Sequence, residues 1–269
     1  MAADRDEPEF PSNPFKALLG GGRPLVGIWS MLNSTNAVEG LSSSGFDWIL
    51  LDGEHTPMSL ADMISHLRAL KGSPLVPIVR IVWNDLALMK QHLDAGATTL
   101  MLPYIQTADE AEKAVRSMRY PPRGVRGVAV IHRASRYGSL PGYAARADET
   151  LCLIVQIETR AALDRLEEIA AVDGVDALFL GPGDLAASIG LIGRPDHPDV
   201  TALIEEALAR ACRAGKPVGV LAPNADLAER HIRSGFDFVS VANDAAVLFR
   251  TAEQLAGRFR SIAETRRTA

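Results

Sequence analysis

The stretch Leu151 to Gly181, LCLIVQIETRAALDRLEEIAAVDGVDALFLG, contains one complete strand-helix-strand repeat. A β-rich run from Leu151 to Glu158 is followed by an amphipathic stretch and then by a second β-rich run from Ala177 to Gly181. Two such runs joined by a helical pattern predict parallel strands with a crossover helix. The fold of the whole chain therefore depends on how often this unit recurs.

The same alternation runs through the chain and yields eight β-α units. The predicted strands are Leu25 to Trp29, Trp48 to Glu54, Pro77 to Val82, Thr98 to Tyr104, Leu151 to Glu158, Ala177 to Gly181, Pro217 to Ala222, and Phe236 to Ala242. Eight units in 269 residues match a single (β/α)8 TIM barrel, which typically has about 250 residues. A doubly wound open sheet is the alternative, but no G-x-G-x-x-G follows the first strand. We expect residues 1–22 to form a flexible N-terminal extension and residues 23–269 to form the barrel.

One long segment interrupts the alternation. Residues 119–150 contain Pro121-Pro122 and a cluster of arginines before the fifth strand. An excursion of this length in a compact domain usually forms a lid, a wall or a subunit contact.

The composition limits the classes of partner. The chain is 47% hydrophobic and 23% charged, with a net charge of −5. This acidic balance gives no basis for binding nucleic-acid phosphates, and no apolar segment is long enough to cross a membrane. We interpret Cys152 and Cys212 as buried thiols in a reducing compartment. We therefore expect a cytoplasmic protein that binds neither nucleic acid nor membrane.

Carboxylates follow two neighbouring strands of the predicted barrel, whose carboxyl ends converge on one mouth. Gln156 and Glu158 alternate with apolar residues, so both should face the interior, and Asp184 follows the next strand. Two carboxylates in one cavity favour a raised pKa or a bound cation. Glu158 and Asp184 are therefore candidate ligands of Mg²⁺, Mn²⁺ or Co²⁺, with positions left for water and a 2-oxo acid. Alternatively, Glu158 pairs with Arg80 or Arg160, and Asp184 is a helix N-cap.

His55 and Arg80 are the other candidates at this mouth. His55 directly follows Asp52-Gly53-Glu54, where a neighbouring carboxylate could make it a base; alternatively, it is an ordinary histidine. Arg80 lies in an otherwise apolar strand, a costly position unless Glu54 or a substrate oxygen faces it. A permanent salt bridge and a catalytic role both fit that position. None of the five lysines falls at the carboxyl end of a strand, which excludes a Schiff-base mechanism.

Five ordered motifs resemble those of the HpcH/HpaI aldolases. They are Ile49-Leu-Leu-Asp-Gly-Glu-His55, Val79-Arg80 with Trp83-Asn84-Asp85, Arg119-Tyr-Pro-Pro-Arg-Gly-Val-Arg-Gly127, Val155-Gln-Ile-Glu-Thr159, and Leu180-Gly-Pro-Gly-Asp-Leu185. The similarity extends from about Pro24 to Phe259. Five motifs in order are a specific signal, although any one alone is weak.

The resemblance implies a TIM barrel, a hexameric homo-oligomer and metal-dependent class II aldolase chemistry on pyruvate. It implies that Glu158 and Asp184 bind the metal, that His55 accepts a proton and that Arg80 stabilises the transition state. The extension Met1 to Gly22 and the stretch Gly127 to His132 depart from the family pattern.

The resemblance also implies further site residues. Gln156, Gly183 and Asp184 contact the substrate, and Asp94 raises the basicity of the catalytic histidine. Because Asp94 ends the third predicted βα-unit helix on the opposite rim, a histidine that it contacts would belong to another subunit. Trp29 and Leu221, at the ends of the first and seventh strands, either wall the aldehyde pocket or simply pack in the core.

These assignments predict reversible cleavage of a 4-hydroxy-2-oxo acid to pyruvate and an aldehyde. One alternative is a Mg²⁺-dependent decarboxylase of a 2-oxo acid such as oxaloacetate. Another is a ligand-binding barrel without turnover. Product analysis separates the aldolase from the decarboxylase, because only the aldolase releases an aldehyde beside pyruvate.

Overall fold

Eight parallel strands form a closed barrel in which β8 pairs with β1, and this confirms the predicted (β/α)8 fold. The computed structural model describes residues 10–19 and 21–267. The strands are β1 (Leu25–Ser30), β2 (Trp48–Asp52), β3 (Val76–Arg80), β4 (Thr99–Leu102), β5 (Cys152–Ile157), β6 (Ala177–Leu180), β7 (Val218–Leu221) and β8 (Phe238–Asn243).

Helices follow the strands, and several begin at a polar cap such as Ser59, whose side chain accepts from the Asp62 backbone N–H. In the described residues they are α1 (Pro14–Leu19), α2 (Thr35–Leu41), α3 (Leu60–Ala69), α4 (Leu86–Asp94), α5 (Ala108–Met118), α6 (Tyr143–Arg146), α7 (Arg160–Asp164), α8 (Leu166–Ala170), α9 (Pro182–Ser188), α10 (Pro198–Arg213), α11 (Ala225–Ser234) and α12 (Asp244–Arg267). The predicted excursion contains α6 and a 3₁₀ turn over Ala147–Thr150.

Large aromatic side chains fill the barrel interior. Trp48 packs edge-on against Phe179 and Phe238, with ring centroids 6.4 and 5.8 Å apart. Gly27 makes room for this ring, because a Cβ there would lie 2.1 Å from a Trp48 ring atom. The alternate residues of β5, Leu153, Val155 and Ile157, face outward into the apolar layer under the helices. Gln156 therefore points inward, as its alternation predicts.

The structure differs from the expected flexible extension over residues 13–19. Phe15 of α1 is fully buried, with its ring centroid 5.4 Å from that of Phe238. The Asn13 side chain donates to the carbonyl oxygens of Thr98 and Thr150 at 3.1 and 2.8 Å. The aromatic interior would otherwise be open to water at the amino end of the barrel, so this helix closes it. The rest of the predicted extension that precedes Phe10, together with Gly20, lies outside the described residues.

The last helix leaves the barrel surface soon after it begins. Asp244 is buried, and the residues from 247 to 266 are exposed. They include Phe249, Leu255 and Phe259, each at least half exposed. A long helix with an uncovered apolar side gains little from local propensity alone, and such surfaces mark interaction sites. Helix α12 therefore has apolar side chains that no described part of the chain covers.

Two predictions about the chemical environment have different outcomes. Cys152 is buried, as predicted, whereas Cys212 is exposed near the end of α10, so its prediction as a buried thiol is wrong. The helical pattern did not indicate which face of α10 carries Cys212. Of the helices described, none combines the length and apolar character needed to traverse a lipid bilayer.

Candidate active site

A cavity of about 180 Å³ opens at the carboxyl ends of the strands. Eight of the nine predicted site residues line it, drawn from six strand ends or the loops after them: Trp29, His55, Arg80, Gln156, Glu158, Gly183, Asp184 and Leu221. Convergence of this kind is the expected arrangement of a TIM-barrel active site.

Arg80 is held by two carboxylates. Its Nε and Nη2 donate to the two oxygens of Asp52 at 2.9 and 2.7 Å, and its Nη1 lies 2.9 Å from Glu54 Oε2. Its guanidinium also lies over the Trp29 ring, 4.8 Å from the centroid. The Arg80 side chain is only 8% exposed, so its charge is balanced by neighbours rather than by water. The predicted salt bridge exists, and Arg80 also faces the cavity.

Asp52 is the residue that the sequence reasoning undervalued. Its fully buried carboxylate accepts from Arg80, from Trp29 Nε1 at 3.2 Å and from the backbone N–H groups of Glu54 and His55. Despite the opposing effect of burial, the Arg80 charge and these hydrogen bonds lower the pKa of Asp52. Asp52 and Arg80 are direct partners in the β2–β3 register. An opposite-charge pair across adjacent strands was the signal that could have found it.

Glu158 is a buried carboxylate that forms no salt bridge among the described residues, although the Arg80 charge acts on it across the cavity. The Tyr104 backbone N–H donates to Oε2 at 3.0 Å, and Gln156 Nε2 donates to Oε1 at 2.5 Å. Burial first, and the Asp184 carboxylate second, raise the pKa of Glu158 to about 7.

The ion-pair alternative for Glu158 is not what the described residues show. Arg80 pairs with Asp52 and Glu54, and Arg160 pairs with Asp164. Asp184 lies in the first turn of α9, whose N-cap is Gly181, so Asp184 is not the cap either. Both carboxylates are therefore left for another function.

Two glycines beside these carboxylates behave differently. A Cβ at Gly181 would lie 2.7 Å from Glu158 Oε1, whereas a Cβ at Gly183 would meet nothing within 4 Å. Glycine is therefore required at position 181, where the backbone passes the Glu158 carboxylate. At position 183 there is room for a larger side chain. The Gly-Pro-Gly-Asp motif at the end of β6 was the only feature of the sequence that pointed to Gly181.

Tyr104 is a second residue that sequence reasoning missed, because it acts through its backbone. Its φ of 59° lies in the left-handed region, which is uncommon for a residue other than glycine. This conformation accompanies the hydrogen bond from its N–H to Glu158. The Tyr104 ring stacks on that of Trp83 at the mouth, with centroids 6.0 Å apart. No local sequence pattern predicts such a backbone angle.

His55 lies at the edge of the mouth. Its side chain is 59% exposed, and its Nε2 is 3.7 Å from Glu54 Oε2. The imidazole therefore has access both to solvent and to the cavity that it lines. An exposed imidazole near a carboxylate is suited to proton transfer.

Asp94 is the predicted site residue that the structure does not bring to this cavity. It ends α4, next to the segment that leads into the amino end of β4. Arg126 Nη2 lies 2.6 Å from its Oδ1, and His132 Nε2 lies 3.9 Å from the same oxygen. Asp94 and His55 of one chain thus lie at opposite ends of the barrel. The placement agrees with the expected opposite rim.

Trp29 and Leu221 both pack in the core and line the cavity, so the two interpretations that the sequence left open do not exclude each other. Trp29 is 3% exposed and packs on Phe179, with ring centroids 5.6 Å apart. Leu221 is partly buried against the same interior cluster. Both also line the cavity, so core packing and a wall of the pocket are the same surface here.

The cavity supplies oxygen donors of the kind that a divalent ion needs. No group of three or more His, Cys, Asp or Glu side chains in the described part of the chain could enclose a metal. The cavity offers the Glu158 and Asp184 carboxylates and the Gln156 carbonyl oxygen, which is buried without a described partner. Oxygen donors and unbalanced negative charge suit a hard cation, with open positions for water or substrate.

Comparisons with known proteins agree with this architecture. The chain matches the HpcH/HpaI aldolase/citrate lyase family over residues 25–251. It is 47% identical over 248 residues to 4-hydroxy-2-oxo-heptane-1,7-dioate aldolase of Shigella sonnei, covering 92% of this chain and 95% of that protein. It is 47% identical over 251 residues to pyruvate aldolase of Rhizobium etli, covering 93% and 99%.

A solved structure gives the same result. The crystal structure of an HpcH/HpaI aldolase/citrate lyase family protein from Burkholderia cenocepacia superposes with a TM-score of 0.89 at 40% identity. The match covers 93% of this chain and all of that one. Together these matches span the barrel and every residue of the cavity, and the chain belongs to the HpcH/HpaI aldolase/citrate lyase family.

Proposed function

We propose that this protein is a metal-dependent aldolase that reversibly cleaves a 4-hydroxy-2-oxo acid to pyruvate and an aldehyde. The observation that carries the proposal is that Glu158 and Asp184 line one cavity with Arg80 and His55, and that neither carboxylate forms a salt bridge among the described residues. The named relatives are aldolases, which supports the same reaction class.

Glu158 and Asp184 would hold the divalent ion, and Gln156 and Gly183 would contact the substrate. A bound Mg²⁺, Mn²⁺ or Co²⁺ supplies a Lewis acid that stabilises negative charge developing on the 2-oxo group. The Tyr104 N–H and the Gln156 amide orient the Glu158 carboxylate from two sides before anything binds. This preorganisation reduces the movement needed on binding.

Arg80 would stabilise the developing oxyanion. Three of the five N–H groups of a guanidinium are engaged by Asp52 and Glu54, which leaves two for a substrate oxygen in the cavity. A fixed donor of this kind is typically worth about 10² to 10³ in rate. Asp52 would act as a positioning residue, because it holds the guanidinium and is not among the residues that line the cavity.

His55 would take the proton of the 4-hydroxyl group in cleavage and return it in synthesis. Its exposed edge allows that proton to exchange with solvent. Trp29 and Leu221 would form the wall against which the aldehyde part rests. Apolar walls discriminate weakly between aldehydes, so a range of aldehydes is expected.

Retro-aldol turnover of a panel of 4-hydroxy-2-oxo acids tests the proposal. The protein is stripped of metal and assayed with Mg²⁺, Mn²⁺ or Co²⁺ added back, and pyruvate and aldehyde are both measured. We expect chelation to abolish turnover and His55→Ala to lower kcat by about 10² to 10⁴ while leaving a measurable remnant. His197→Asn, remote from the cavity and able to retain the helix cap, is the matched control.

Two results would contradict the proposal. Turnover that survives exhaustive chelation would exclude the metal-dependent mechanism. Release of carbon dioxide from oxaloacetate, with no aldehyde from any member of the panel, would assign the decarboxylase alternative instead.

The protein is further proposed to act as a homo-oligomer, a hexamer by family resemblance. The exposed apolar side of α12 and the exposed Val128, Val130 and Ile131 of the excursion supply surface for subunit contacts. In such an assembly Asp94 would approach the His55 of a partner subunit. Light scattering gives the molar mass, and a monomer at micromolar concentration would refute this assembly.

A cytoplasmic location also belongs to the proposal. Both cysteines are free, and an exposed unpaired thiol such as Cys212 is typical of a reducing compartment.

A further inference from the structure

A second cavity, of about 580 Å³, lies at the end of the barrel opposite the candidate active site. Its lining includes residues that precede strands: Lys71 before β3, Gly96 and Thr98 before β4, and Thr150 before β5. The amino ends of parallel strands in a barrel all meet at one rim. This cavity therefore shares no residue with the site proposed for the aldolase reaction.

The lining of this cavity is cationic. Arg68, Lys71, Arg133 and Arg136 all line it, and among the described residues no Asp or Glu does. In the described ranges none of these four side chains forms a salt bridge, although the protein as a whole carries a net charge of −5. Four like charges around one cavity repel each other unless an anion enters.

Arg133 is fixed at the inner wall. Its Nη1 donates to the Ala95 carbonyl oxygen at 2.9 Å, just after the end of α4. Burial and the nearby Arg68 charge lower the pKa of Arg133, and no described carboxylate is among the causes. A Cβ at Gly96 would lie 2.4 Å from this Nη1, so glycine leaves room for the guanidinium. The cation is thus held in place by the backbone rather than by a counter-charge.

Helix ends account for part of the cluster. Arg68 lies in the last turn of α3 and Arg133 against the end of α4, and the helix dipole favours a cation at both places. Arg136 lies in the excursion, in a left-handed conformation with φ of 52°, and has no such helix end to explain it. The helix dipoles therefore do not neutralise the whole set.

We propose that this cavity is a binding site for a small oxyanion with two or more negative charges, a phosphate or a dicarboxylate. Its volume lies in the range of about 300–1,000 Å³ that is usual for small-molecule sites. Arginine forks match phosphate and carboxylate oxygens in pairs, and Lys71 adds a point charge. Tyr137 and Tyr143 add aromatic walls beside the cations.

One arm of the experiment tests whether acidic residues of the chain itself compete for the cavity. Pro11 lines the cavity, and the sequence just before it contains Asp4, Asp6, Glu7 and Glu9. Carboxylates on the same chain have a high effective concentration at a site a few residues away. The experiment therefore includes a full-length variant in which these four residues are changed to Asn or Gln.

Calorimetric titration of metal-stripped, full-length protein with phosphate and with malonate tests the proposal and separates the two anions. We expect saturable binding that weakens about tenfold or more in Arg68→Gln/Arg136→Gln, since both changes remove charges that line the cavity. The matched control is Arg194→Gln/Arg233→Gln, which removes the same charge from exposed sites outside the cavity and should bind as the unaltered chain does. Binding should also weaken as KCl is added.

Each outcome has a defined meaning. If only the variant with neutralised residues 4–9 binds the anion, and the unaltered chain does not, the anion site is supported and the acidic segment is identified as its competitor. No saturable binding of either anion by either form would overturn the proposal. Binding that Arg68→Gln/Arg136→Gln leaves unchanged would place the anion elsewhere and overturn it as well, with circular dichroism confirming that each variant is folded.

Discussion

The raised pKa of Glu158 predicts a specific pH dependence of stability for the metal-free protein. Burial and the Asp184 charge raise the pKa of Glu158 to about 7, from an ordinary value of 4.5. As pH rises between these values, the unfolded chain releases a proton that the folded chain retains, so the free energy of unfolding decreases. At 1.36 kcal/mol per pH unit the cost reaches about 3 kcal/mol and is complete above pH 7.

The variant Glu158→Gln isolates this cost, because a neutral amide has nothing to ionise. The difference in unfolding free energy between variant and unaltered protein should grow by about 3 kcal/mol, in favour of the variant, from pH 4.5 to pH 8. The amide of the Glu158→Gln variant makes poorer hydrogen bonds with Tyr104 and Gln156 than the carboxyl group does. This loss lowers the free energy of unfolding of the variant equally at pH 4.5 and at pH 8. The buried His66 and His231 and the half-buried His92, whose pKa values are all lowered by burial, make contributions that also cancel in the difference.

Urea denaturation in the presence of a chelator, repeated across this pH range, measures the difference. Glu39→Gln, on the exposed surface of α2, is the control and should run parallel to the unaltered protein. Added Mn²⁺ at pH 8 should stabilise the unaltered protein, by about 2.7 kcal/mol at a hundredfold excess over Kd, and should stabilise Glu158→Gln far less. Parallel curves for Glu158→Gln and the unaltered protein would refute the reasoning.

Three further predictions concern neighbouring positions. Gly181→Ala should weaken Mn²⁺ binding because its Cβ would lie 2.7 Å from Glu158 Oε1, whereas Gly183→Ala, facing open space, should bind as before; calorimetric titration compares the two. Tyr104→Gly should retain Mn²⁺ affinity, whereas Tyr104→Ile should lose it, because a φ of 59° strains a β-branched residue. Equal affinities of the two variants would show that this backbone angle does not position Glu158. Phe15→Ala should lower the free energy of unfolding by about 3–5 kcal/mol in urea titrations without changing Mn²⁺ affinity, and a loss well below that range would show that α1 is not part of the core.

The barrel was predictable because its signals are local. Each strand is a short β-rich run, each helix has its own amphipathic pattern, and neither depends on distant residues. The observed strands lie within two residues of the predicted bounds at every end. The inward direction of Gln156 followed from alternation alone, since strand side chains change face at every residue.

Features that depend on contacts between distant segments were not predictable in this way. Phe15 closes the barrel only because Trp48 and Phe238 meet there, and the exposure of Cys212 depends on how α10 rotates against its neighbours. The hydrogen bond from the Tyr104 N–H to Glu158 joins the ends of two different strands. These are consequences of assembled packing, which a single stretch of sequence does not encode.

The amino-acid sequence by itself determined that eight β-α units close into a barrel, and which strand ends carry Glu158 and Asp184. Tertiary structure alone decided that Arg80 forms salt bridges with Asp52 as well as Glu54. It also decided that Glu158 forms no salt bridge among the described residues. The physical reason is that the order of elements follows from local backbone and side-chain preferences. The partner of a buried charge follows instead from inter-strand register and separations of a few ångströms, since ion pairing in a dry interior is decided by distance and desolvation.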